Sequence, residues 1–113
     1  MKPMSERQMC ANRIARFINA NNLTTPFGGD VVLDRSGKMP CYDVSFSKPR
    51  VLNGTVSVYS TSFIKVSFET SYRSLPNKGH HVYGSESDAI NFLKLAFVDL
   101  EFDDAMEIPL KGK

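Results

Sequence analysis

Tryptophan is absent from the 113-residue sequence, and cysteine occurs twice, at Cys10 and Cys41. Two thiols make no disulfide framework, so the stability of the chain has to come from a packed core. No apolar run approaches the roughly 20 residues that a bilayer-spanning helix needs. The amino-terminal stretch MKPMSERQMC also lacks the apolar segment of a signal peptide. These absences predict a cytoplasmic protein with free, mostly buried thiols and no membrane contact.

Histidine is equally scarce, and the two that exist, His80 and His81, are adjacent in a polar stretch. Acyl transfer needs a nucleophile, a base and an orienting group. No G-x-S-x-G elbow accompanies the serines, and neither cysteine sits in a nucleophile motif. Zinc-ligand spacings of the C-x₂₋₄-C or H-x₃₋₅-H kind are missing. Gly28-Gly29 and Ser36-Gly37-Lys38 do not open a helix, so neither forms a phosphate cradle. The acidic residues near the carboxyl end lack the glycine and spacing of an EF-hand loop. The sequence therefore predicts no enzyme, no cofactor and no metal.

What is present points to a folded domain. Apolar residues make up 42% and charged residues 23% of the chain, which excludes a disordered one. Eight Phe and four Tyr supply large core side chains. The length suits a single domain, 1–113, whose last ten or so residues read as an extended or frayed tail.

Charge is uneven although the net value is only +2. Residues 1–83 hold eleven Lys/Arg against five Asp/Glu, and residues 84–113 hold three against seven. A basic body with an acidic end favours an oriented contact.

Periodicity assigns the elements. Ser5 caps a helix over Ser5–Asn21, with Gln8 completing a capping box and Cys10, Ile14, Phe17 and Ile18 on its apolar side. Val31–Leu33 leads into a turn at Asp34–Gly37, and Tyr42, Val44 and Phe46 alternate as a strand with one buried face. Asn53-Gly54 reads as a hairpin turn, since both residues tolerate positive φ. Val56 and Val58 follow, then Ile64, Val66 and Phe68. Leu75–His81 reads as a loop, with Val82-Tyr83 as a short final strand. A second helix opens at Ser85, boxed by Asp88, and runs through Ala89, Leu93, Ala96, Phe97 and Leu100. Two helices on one face of an antiparallel meander of four to five strands make an α+β two-layer sandwich.

A helix–strands–helix order is similar to that of double-stranded-RNA-binding domains. Here the second helix opens with the acidic Ser85-Glu86-Ser87-Asp88, and no lysine cluster or Gly-Pro-x-His loop is present. The remaining expectation is stoichiometric binding of a protein partner through Asp99, Glu101, Asp103, Asp104 and Glu107. Small chains without a catalytic set also suggest a phage or mobile-element accessory inhibitor of a host defence or transcription complex. The alternative is a nucleic-acid-binding sheet face built from Arg50, Tyr59, Lys65 and Arg73.

Overall fold

The computed structural model describes residues 5–24, 28–48, 52–71 and 77–99. Helix α1 (Glu6–Ala20) is followed by strands β1 (Val31–Asp34), β2 (Cys41–Lys48), β3 (Leu52–Ser60), β4 (Phe63–Thr70) and β5 (Lys78–Tyr83). Helix α2 (Glu86–Leu93) then continues as a π-helical segment, Lys94–Asp99. The five strands pair in sequence order, each antiparallel to the next. The architecture is the α+β sandwich read from the sequence, with five strands.

Both helix starts are set by local chemistry. Ser5 Oγ accepts from the Gln8 amide at 3.1 Å, and Ser85 Oγ accepts from the Asp88 amide at 3.1 Å. The end of α1 is equally local. Asn22 adopts a left-handed conformation with φ of 60°. Its amide donates to Asn19 O, and the Leu23 amide donates to Ile18 O at 3.1 Å. That pair of bonds is a Schellman cap, and Leu23 and Ile18 bury completely beside it.

The helices cover one face of the sheet. Along that inner face, Val31, Val44, Val56, Val66 and His81 form one cross-strand row, and Leu33, Tyr42, Val58, Ile64 and Tyr83 form the next. Cys10, Ile14 and Ile18 of α1, together with Ala89 and Leu93 of α2, close over the buried members. A bidentate Arg13–Glu86 pair, with Nη2 to Oε1 at 2.7 Å and Nε to Oε2 at 2.8 Å, ties α1 to the first turn of α2.

The structure corrects two readings of the chain. Asn53-Gly54 is not a turn: it lies inside β3, where Gly54 pairs with Phe46 on one side and Phe68 on the other. The row runs Phe46, Gly54, Phe68, Gly79, alternating large and small. A Cβ at Gly54 would meet the Phe46 ring and the Ser67 carbonyl oxygen, and one at Gly79 would meet Phe68 Cζ at 2.8 Å. Each glycine is the space a phenyl ring occupies, and Phe97 packs onto both rings at centroid distances of 5.4 and 5.6 Å. The second correction is the final strand. Lys78–His81 belongs to β5 rather than to a loop, because pairing with Glu69, Phe68, Ser67 and Val66 satisfies its backbone in spite of its polar side chains.

Candidate functional site: the open face of the sheet

Strand alternation sends the remaining side chains to the face opposite the helices. One row there is Val32, Asp43, Ser57, Lys65 and Val82. Beside it run Ser45, Thr55, Ser67 and His80, and then Ser47, Asn53, Glu69 and Lys78. The centre of the face is mostly small hydroxyls, and each margin carries one exposed valine among polar neighbours. Val32 on β1 and Val82 on β5 are each 58% exposed. Over β3 to β5 the surface dips into an open depression of about 490 Å³, floored by Thr55 and Ser67 and flanked by Glu69, Lys78 and His80. Lys78 Nζ lies 3.4 Å from Glu69 Oε2 across its rim.

A different chemistry occupies the corner nearest the β1–β2 turn. Asp34 stands opposite Cys41 across the hairpin, and Asp43 follows two residues along β2 on the same face. The donor atoms of Asp34, Cys41 and Asp43 all lie within 4.8 Å of one another. The Cys41 thiol donates to Asp43 Oδ1 at 3.2 Å. The Tyr59 hydroxyl hydrogen-bonds the same sulfur, and its ring packs at a tilt against Phe63 with centroids 4.8 Å apart. The Ser36 amide and hydroxyl donate to Asp34 Oδ1 at 2.8 and 2.7 Å. They hold that carboxyl below its ordinary range. Burial, then the hydrogen bond and charge of Asp43, push the Cys41 thiol up to about 11. Among the described residues neither Asp34 nor Asp43 has an ion-pair partner.

Cys10 is a contrasting thiol. It sits in the core under α1, pushed up to about 11 first by burial and then by the Glu86 carboxylate. At neutral pH both cysteines are held as thiols rather than thiolates.

The residues expected to act from sequence are placed unevenly. Tyr59 and Lys65 share the open face, with Tyr59 two residues along β3 from Ser57, the partner of Lys65. Arg50 and Arg73, the other members of that basic set, lie outside the described residues. Of the acidic set, Asp99 ends the π-helical segment, and Glu101, Asp103, Asp104 and Glu107 lie outside the described residues. His80 and His81 project to opposite faces of β5. His80 aligns with Ser67 on the open side, and His81 packs 5.1 Å from Phe92 on the helix side.

Sequence reasoning missed the Asp34–Cys41–Asp43 corner. The legible signal was an aspartate and a cysteine flanking a turn, with a second aspartate at the alternate strand position beyond. Comparison with protein-family models, with curated proteins and with solved structures returns no match for this chain. Among the described residues no helix is long and apolar enough to cross a membrane.

Proposed function

We propose that this protein is a binding module that engages an extended segment of a protein partner along the β5 edge and the adjoining open face. The observation that carries this reading is the one-sided coverage of the sheet. Both helices pack on the inner face, and β5 ends the strand order with Val82 exposed beside the polar depression. An edge strand presents a row of backbone donors and acceptors to which an extended peptide adds. The two edges differ in this respect. β1 is four residues long and is followed directly by the Asp34 turn, whereas β5 offers six residues with Lys78 as its sole acid or base other than histidine. The groove next to β5 supplies hydroxyl, carboxylate and ammonium groups to fix register. Blocking a host complex, as an accessory inhibitor does, is one form that such binding takes.

The nucleic-acid reading has less support from the same face. Tyr59 is committed to Phe63 and Cys41, and the Asp34 and Asp43 carboxylates beside it repel phosphate.

The test is an affinity capture from source-matched lysate with wild-type protein and with Val82→Glu, each with and without nuclease. A nuclease-resistant partner retained by wild type and lost by Val82→Glu, with both proteins folded by circular dichroism, supports the edge reading. Equal capture by the two proteins overturns it, and loss of all partners after nuclease puts nucleic acid in its place.

A further inference from the structure

The corner formed by Asp34, Cys41 and Asp43 gathers three groups able to ligate a metal ion. Two carboxylates and a thiol converge with their donor atoms within 4.8 Å, and among the described residues no lysine or arginine pairs with either acid. Cys41 is 5% exposed, so water screens the sulfur poorly. The Cys41 proton lies between its sulfur and Asp43, and a divalent cation that displaced it would meet three donors at once. We infer that Asp34, Cys41 and Asp43 bind a thiophilic divalent cation of the zinc class, through one thiolate sulfur and two carboxylate oxygens.

Donor type, geometry and support agree. A thiolate with two carboxylates is a mixed set that zinc, cobalt and cadmium accept, whereas calcium and magnesium take oxygen throughout. Tetrahedral zinc, with Zn–S of about 2.3 Å and Zn–O of about 2.1 Å, places its donors roughly 3.5 Å apart. The Cys41–Asp43 separation of 3.2 Å is already in that range. Asp34, with a donor atom within 4.8 Å of the other two, supplies the third position. Three ligands leave a fourth position for water.

The backbone fixes the set in advance, because Asp34 and Cys41 are cross-strand partners and Asp43 shares their face. A supporting shell is also in place. Ser36 holds Asp34 through Oδ1 and leaves Oδ2 to ligate, and Tyr59 bonds the sulfur. On binding, the Cys41 S–H bond breaks, the sulfur pair forms the metal bond, and one proton leaves to solvent. This site lies at the β1–β2 end of the face, away from β5, so it stands or falls independently of the partner reading.

The experiment is a Co²⁺ titration of the full chain at neutral pH, followed by Zn²⁺ competition. Wild type is expected to bind one Co²⁺ with a sulfur-to-cobalt charge-transfer band that Zn²⁺ abolishes, releasing about one proton per metal. Cys10→Ser should keep the band and Cys41→Ser should lose it. Asp34→Asn combined with Asp43→Asn, which leaves both thiols intact, should weaken binding at least tenfold. Absence of the band in wild type at millimolar Co²⁺ overturns the inference. So does a band that survives in Cys41→Ser, or unchanged affinity in the double carboxylate variant.

Discussion

The two faces of this sheet are built from the same five strands by opposite rules. On the inner face packing is a volume problem, solved in one row by alternating phenyl rings and glycines and elsewhere by two helices that close over aliphatic side chains. On the open face the side chains are small and hydroxylated, and chemistry concentrates at two places, the Asp34–Cys41–Asp43 corner and the β5 margin. A close-packed face tolerates little change in volume, whereas a solvated face tolerates change everywhere except where groups depend on one another. The contrast predicts which substitutions unfold the protein and which disable it.

The largest effect is expected from emptying the inner face. Phe46 is fully buried between Gly54 and Phe97, so Phe46→Ala should cost about 3–5 kcal/mol. Urea unfolding followed by circular dichroism measures it. Filling the same row should cost less: Gly54→Ala forces a methyl against the Phe46 ring and Ser67 O, at about 1–3 kcal/mol. Combining Gly54→Ala with Phe46→Leu sharpens the comparison. If the row is one volume problem, the double variant should be more stable than the sum of the single losses implies. Simple additivity would break the account of the row.

That row also marks the limit of what was legible in the sequence. The caps at Ser5 and Ser85 were readable because a hydroxyl and an amide three residues on settle them locally. Strand alternation through Val44, Phe46, Val66 and Phe68 was readable because one buried face imposes a period of two. Asn53-Gly54 misled because glycine has two uses, positive φ in a turn and room for a neighbouring ring. The sequence states the residue but not the neighbour. Lys78–His81 misled because the backbone pairing that makes it a strand comes from β4, far away in the chain. The Asp34–Cys41–Asp43 corner was hidden for a related reason. Its three donors become neighbours only once the hairpin register is known.

Titration gives the next largest effect, with the two thiols as reporters. Burial pushes both up to about 11 from the ordinary thiol value near 9.0, Cys10 on the helix side and Cys41 on the open side. A folded-state value raised above the unfolded one means stability is intact below about pH 9 and declines as pH rises toward 11. Alkaline unfolding should therefore set in across that window, and Cys10→Ala should flatten the decline. At the acidic end Glu86 behaves oppositely. The Arg13 hydrogen bonds depress its carboxyl, so its contribution is present at neutral pH and fades as pH falls through its folded-state value. Glu86→Gln should make acid unfolding less steep.

The smallest effect on stability should fall on the open face, and it is the most informative of the series. Thr55 and Val82 lie on the face away from the helices, and Val82 is more than half exposed. Thr55→Ala and Val82→Thr should each shift stability by no more than about 0.5 kcal/mol. Thermal denaturation monitored by far-ultraviolet circular dichroism resolves that difference from the losses expected at Phe46. A loss above 2 kcal/mol at either position would mean that the open face is covered in the folded protein. Near-neutral values at both leave the face available, and any loss of partner capture by Val82→Glu then belongs to the surface and not to the fold.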